Sequence, residues 1–433
     1  MFFVHFFQIF AVSASLTSLP TATKLEGMIS TMRFASGLSD ATSSRQAIDD
    51  VCDQILAALG EGPCQFACVF ASASYRAAWP PLLSRLHDRL HPQVLLGCNG
   101  SGIIGGEREL EWVPAVSVVA ARLPEVKLFP FAVTPAELSA SEPGGFWVDK
   151  IGVSPEAQPI FLLVADPYTT DPAKLVDELN RTYRTRPILG GLVSGGEKPG
   201  EHLLFLGQTV FREGAVGVAM AGNIAMETIV SQGCRPIGRP YVVTKAEDNV
   251  VWQLGGRPAI EVLHEVLMSL SSGDRELAQH GSILVGLVID EMRPRFGTGD
   301  FLVRTIVGID PSTGALAVGE QLRTGQTLQF HLRDAATAHE ELRRLLARHT
   351  EAAPARAAGG LLFTCQGRGK AFYGTPHHDV RTIQSLNGKV PLGGFFCNGE
   401  IGPIGGVNFL HGYTASLGLF RPAQEASTRP GGP

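Results

Sequence analysis

Apolar and polar positions alternate with two periods along this chain, and the period changes often. Ile48, Val51, Ile55, Leu56 and Leu59 share one face at helical spacing, predicting a helix over 42–59. Asp40 or a nearby Ser/Thr caps its start and Gly60 suits its end. Short apolar runs follow at 65–72 (QFACVFAS), 94–98 (VLLGC), 115–123, 126–133, 160–166 (IFLLVAD) and 187–196 (PILGGLVSGG), each read as a strand. Helices are expected at 80–90 and 172–184, a loop over 134–157, and a hairpin-like pair through 203–221. A second half begins near 222. It reads as strands over 240–252, a helix at 258–271, strands at 283–290, 301–309 and 314–319, and a helix at 333–349. A small-residue linker (353–360) leads to LLFTCQGRG (361–369), a short helix at 378–386, VPLGGFFCNGEIGPIGG (390–406) and a strand pair closing at Phe420.

Many of these strands adjoin without a helix between them. That pattern favours an α/β fold of two similar subdomains, with mixed or antiparallel sheets flanked by helices, over a doubly wound parallel sheet. The length of 433 residues calls for more than one core, and the halves divide as 32–225 and 226–420. Residues 1–31 are expected to lie outside the fold as an apolar extension. They lack the positive start of a signal peptide, although export is the alternative if residues 1–22 act as one. Residues 421–433 read as a frayed, Pro/Gly-rich tail. A net charge of −5 with no long Lys/Arg cluster gives no electrostatic case for nucleic acid, and no stretch of the folded part reads as a membrane span. Seven scattered cysteines without a Cys-x-x-Cys pair suit reduced thiols in a cytoplasm.

The glycine-rich loops carry the candidate chemistry. Gly100-Ser-Gly102-Ile-Ile-Gly105 has the G-x-G-x-x-G spacing of a dinucleotide turn, but strand-like sequence follows where that turn needs a helix. The loop instead has an echo. Cys98-Asn99-Gly100 precedes Gly105-Gly106 as Cys397-Asn398-Gly399 precedes Gly405-Gly406, and ILGGLVSGGE (188–197) is a third relative. Tight turns account for several of these glycines on their own, and Asn99-Gly-Ser101 also matches a glycosylation sequon.

LLGCNGSGIIGGEREL, GCRPIGRPYVVTKAEDNVVWQLGGRPAIEVL, FTCQGRGKAFYG and GGFFCNGEIGPIGG together resemble the FIST family, over nearly all of 32–420. The resemblance implies a sensory, small-ligand-binding signal-transduction module with N- and C-terminal FIST regions and amino acids as ligands. No histidine kinase, cyclase or F-box segment is visible, so its output is expected to pass through a separate signalling protein.

Arg368, between Gly367 and Gly369, suits a bidentate clamp on a carboxylate, and Glu400 supplies the opposite pole for an ammonium group. A structural Arg368–Glu400 pair is the competing reading. Asn398, Asn99 and Ser101 offer directional hydrogen bonds, and Gly100, Gly369 and Gly399 permit close backbone approach. The enzymatic alternative is a thiol-dependent hydrolase or transferase with Cys365 as nucleophile and His411 as base; a protein-interaction module without ligand is the third. Neither cofactor nor metal is expected. His377-His378-Asp379 has no third ligand nearby, and His87/His91 lack the Glu of a zinc helix.

Overall fold

The computed structural model describes residues 31–60, 62–279, 283–352 and 356–423. Residues 1–30 of the expected extension (1–31) and 424–433 of the expected tail (421–433) lie outside that description; Arg421 is not frayed, because it is the buried last residue of the closing strand Ala415–Arg421. Within it, one strand–helix–strand–helix–strand–hairpin–strand unit occurs three times.

The first unit contains β1 (Arg33–Ser39), α1 (Ser44–Leu59), β2 (Phe66–Ser72), α2 (Pro81–Leu90), β3 (Val94–Gly100), the hairpin β4 (Gly102–Gly105) and β5 (Arg108–Glu111), and β6 (Val116–Arg122). Ser43 caps α1 by accepting from the Gln46 amide, and the Gly60 amide closes it on Leu56. The second has β7 (Val126–Val133), α3 (Gly145–Ile151), β8 (Ile160–Ala165), α4 (Pro172–Thr182), β9 (Ile188–Leu192), the hairpin β10 (Leu204–Leu206) and β11 (Thr209–Phe211), and β12 (Ala215–Gly222). The expected loop at 134–157 therefore holds helices. Thr134 and Glu137 form a capping box that starts a further short one, Pro135–Ala140.

The third unit opens with β13 (Ala225–Ser231), then takes an insertion of β14 (Cys234–Glu247), β15 (Val250–Leu254), β16 (Arg257–Pro258), α5 (Ala259–Met268), β17 (Ile283–Val288), β18 (Phe301–Asp310), β19 (Ala315–Val318) and β20 (Thr327–Arg333). It resumes with α6 (Ala335–Ala352), β21 (Gly359–Cys365), α7 (His378–Asn387), β22 (Leu392–Cys397), the hairpin β23 (Glu400–Ile404) and β24 (Val407–His411), and β25 (Ala415–Arg421). In the insertion β14 pairs with β15 as well as β20, which closes the antiparallel strands β14-β20-β17-β18-β19-β15 into a barrel. Val262, Leu263 and Val266 of α5 pack on its core.

The three sheets have the same pairing: β1-β6-β2-β3, β7-β12-β8-β9 and β13-β25-β21-β22, with one parallel pair in each, β2–β3, β8–β9 and β21–β22. Each sheet is then extended by another unit's hairpin. β10–β11 joins β3, β23–β24 joins β9, and β4–β5 joins β22, so the hairpins are exchanged in a cycle. The α/β class with mixed sheets holds. The Cys-Asn-Gly echo reflects equivalent strand ends, and the Ser-Gly-Gly loop after β9 is their third counterpart.

Alternation along the strands explains how the units pack. Phe66, Cys68 and Phe70 of β2 face a shared core with Leu162 and Val164 of β8, Leu361 and Phe363 of β21, and Phe395 of β22. Ala67, Val69 and Ala71 face α1 and α2 instead. The rings of Phe70, Phe363 and Phe395 meet in that shared core at centroid separations of 5.3–5.9 Å.

Candidate ligand-binding site

The parallel strand pairs of all three units run toward one place, where their carboxyl ends open onto a cleft of about 430 Å³. Carboxyl ends of parallel strands are where α/β sheets hold ligands, because the loops leaving them are free of ladder pairing. The first unit contributes Ser72, Ala73, Ser74, Gly100 and Ser101 to the lining; the second contributes Tyr168, Gly195, Gly196 and Glu197; the third contributes Gln366 and Asn398. Trp112 and Val113, which follow the exchanged β4–β5 hairpin, form part of the rim. Glu197 is the lone charged side chain among these lining residues.

Ser194 ties the floor together. Its hydroxyl oxygen accepts from the Ser101 amide at 2.9 Å, lies 3.2 Å from the Ser101 hydroxyl, and donates to the Phe396 carbonyl, so one side chain touches all three units. Next to it, Gly195 has φ of 84°, and a Cβ there would stand 2.9 Å from the Gly100 carbonyl carbon. The Asn398 amide donates to Leu192 O at 3.0 Å and the Leu192 amide to Gly399 O at 2.7 Å, joining the β9 and β22 ends. Gln366 Nε2 donates to Asn398 Oδ1 across the cleft wall.

Behind Tyr168 lies a buried Asp166–His202 pair, with Nδ1 and Oδ1 2.8 Å apart. Burial alone would raise the Asp166 carboxyl, but hydrogen bonds from His202, Thr169 and the Tyr168 amide outweigh it and hold the group below its usual range. The other ring nitrogen of His202 faces Gly196 O at 3.2 Å, and the Tyr168 ring stacks on the imidazole at 5.2 Å. These contacts fix one wall of the cleft.

Two family models cover most of the chain: the FIST N domain matches residues 65–257 and the FIST C domain residues 259–403. The chain belongs to the FIST family. FIST domains are associated with signal transduction and small-ligand sensing. An uncharacterised Mycobacterium tuberculosis protein is 39% identical over 389 residues, covering 90% of this chain and 100% of the relative. A Mycobacterium bovis protein, also uncharacterised, is 39% identical over 390 residues, covering 90% of this chain and 99% of its own length. An Arabidopsis thaliana F-box/LRR-repeat protein matches over 91 residues at 33% identity, 20% of this chain and 17% of that protein. A cyanuric acid hydrolase structure aligns at a TM-score of 0.31 with 9% identity, over 90% of this chain and 100% of that one.

In this FIST chain the residues singled out in the sequence separate into two groups. Gly100, Ser101 and Asn398 line the cleft. Asn99, Glu400, Arg368, Gly369 and Gly399 are not among its lining residues. Asn99 is buried and accepts from the Leu203 amide at 2.7 Å, which ties β3 to the β10 hairpin; the sequon asparagine is thus closed to solvent. Glu400 is buried and accepts from the Thr414 amide at 3.1 Å, and burial pushes its carboxyl well above the usual range. Gly399 O receives the Leu192 amide, and a side chain at Gly369 would overlap the Glu111 carboxylate.

Arg368 meets a carboxylate, but that carboxylate is Asp379 rather than Glu400: Nε to Oδ2 is 2.9 Å and Nη2 to Oδ1 3.2 Å, with both side chains buried. The Cys365 thiol is pushed up to about 11 by burial and then by Glu400, which keeps it protonated near neutrality. Burial pushes His411 down to about 4, and its Nε2 faces Gly402 O at 2.9 Å. Among the described residues no hydrogen bond joins Cys365 to His411. All seven cysteines are free thiols. The described residues contain no group of three or more His, Cys, Asp or Glu able to hold a metal, and no helix among them is long and apolar enough to cross a membrane.

His378 bridges Asp379 at 3.0 Å and His339 at 2.9 Å, while Glu109 accepts from the Val380 amide at 2.9 Å beside them. Burial, and then the Asp379 charge, raise the Glu109 carboxyl to about 8. The folded chain therefore holds a proton there that the unfolded chain has released, and this part of stability declines as pH rises from about 4.5 to about 8. Glu109→Gln keeps the acceptor for Val380 and removes the titration. It is expected to flatten that decline and to exceed the wild type by on the order of a few kcal/mol above pH 8 in urea denaturation. Parallel pH profiles for the two proteins would contradict this assignment.

Proposed function

We propose that this FIST chain is a sensor of a small amino-acid-type metabolite, bound in the cleft where the three units meet. The observation that supports it is the convergence of six strand ends from three separate units on one cleft lined by hydrogen-bonding groups. Glu197 supplies the counter-charge for an ammonium group, and Ser74, Ser101, Gln366 and Asn398 supply directional hydrogen bonds. Asn99, Arg368, Glu400, Gly369 and Gly399 act from behind, holding the strand ends and the loops in place. Since each wall belongs to a different unit, a bound ligand stabilises the arrangement in which all three are close, and a separate cytoplasmic signalling protein reads that state by differential affinity.

A thermal-shift screen against the twenty amino acids tests this reading. At least one is expected to raise the melting temperature by a few degrees at a hundredfold excess over its Kd, the stabilisation that mass action then gives being about 2.7 kcal/mol. No shift with any of them would contradict the amino-acid assignment.

A further inference from the structure

Ten large hydrophobic side chains stand exposed among the described residues, and three of them, Trp112, Val113 and Tyr168, surround this cleft. Trp112 is 74% exposed and Tyr168 45%, a large exposure for aromatic rings. The backbone beneath each is held. Trp112 has a left-handed backbone with φ of 59°, which costs a bulky side chain energy, and its amide is held by Ser101 O at 3.1 Å. Tyr168 has its ring stacked on His202 and its amide held by Asp166 Oδ1 at 3.1 Å. Two exposed aromatic rings and the Glu197 carboxylate therefore border a cleft lined by no Lys or Arg.

That combination selects for positive charge. Aromatic faces attract cations through their quadrupole, and most strongly where the site is partly closed to water; a carboxylate adds to the attraction. Resting on the reading of the cleft as an amino-acid site, we propose that its ligands carry a net positive charge, and that Trp112 and Tyr168 select for it. Basic amino acids and related organic cations then bind, and acidic or neutral ones of the same shape do not.

The test compares isosteric pairs on the full chain by calorimetry: L-arginine against L-citrulline, and L-lysine against L-2-aminoheptanoic acid. The cationic member of at least one pair is expected to bind at least tenfold more tightly than its neutral partner. Trp112→Ala and Tyr168→Ala are each expected to weaken it about 2- to 30-fold, with Trp112→Phe retaining more than Trp112→Ala. The melting temperature without ligand reports whether the variants fold. Equal affinity within both pairs overturns charge selection, and binding unchanged in both Trp112→Ala and Tyr168→Ala overturns selection by these rings; either result leaves an amino-acid site intact. Absence of binding by all four compounds and by every amino acid in the thermal screen overturns both proposals.

Discussion

Arg368→Ala is expected to cost about 3–5 kcal/mol of stability, the range for breaking a buried ion pair by removing one partner. The guanidinium is 1% exposed and meets Asp379 through two nitrogens, with a further contact to Ser231 O at 3.4 Å. Burial by itself would raise the Asp379 carboxyl; Arg368 and then His378 reverse that and hold it below the usual carboxylate range. Without Arg368, the remaining bonds from Thr364 and His378 leave the carboxylate charge uncompensated. Asp379 must then take up a proton or the third unit must loosen. The double variant Arg368→Ala/Asp379→Ala is expected to be destabilised by less than the two single losses summed, because the orphaned charge is gone. Urea denaturation of the three variants measures both quantities. A loss below about 1 kcal/mol, accompanied by weaker ligand binding, would instead make Arg368 a ligand contact.

Gly190→Ala is expected to be at least as disruptive, costing about 3 kcal/mol or more. A Cβ at this position in β9 would overlap the Leu163 carbonyl of the adjacent parallel strand β8. The same clash recurs at Gly97 of β3 against Val69 O, and at Gly394 of β22 against Leu362 O. Each unit thus brings its parallel pair together at a glycine, a few residues before the strand ends that form the cleft. Relief of the overlap must move the strands apart and shift those ends. Gly145→Ala supplies the control, since a Cβ there meets nothing within 4 Å and lies in the first turn of a helix. It is expected to be neutral or slightly stabilising. Comparable denaturation midpoints for the Gly190 and Gly145 variants would contradict the steric account.

The parallel strands were legible in the sequence because they are buried on both faces and so read as continuous apolar runs, as QFACVFAS and IFLLVAD do. The helices α1 and α6 were legible from their period. Of the exchanged hairpins, β10–β11 fell within the expected hairpin-like pair at 203–221, but GIIGGERELE and EIGPIGGVNFLH read as glycine loops because their turns are Gly-Gly pairs. Their pairing is with other units, which local pattern cannot show. The partner of Arg368 was hidden for the same reason, Asp379 being brought to it by α7 after a change of direction. Of the cleft, Gly100, Ser101 and Asn398 were visible through the repeated motif. Ser194 and Glu197 had a signal in the third loop, ILGGLVSGGE, but Trp112 and Tyr168 carry no motif and are joined to it only by the fold.

Titration calorimetry with the amino acid that gives the largest thermal shift, on the wild type and on Ser74→Trp, tests the central claim most directly. Ser74 is exposed and lines the cleft, so an indole there fills the space without disturbing the core. The expected result is saturable binding to the wild type, lost in Ser74→Trp at an unchanged ligand-free melting temperature. Equal affinity in the two proteins would place the ligand elsewhere and contradict the three-unit cleft as the sensor site.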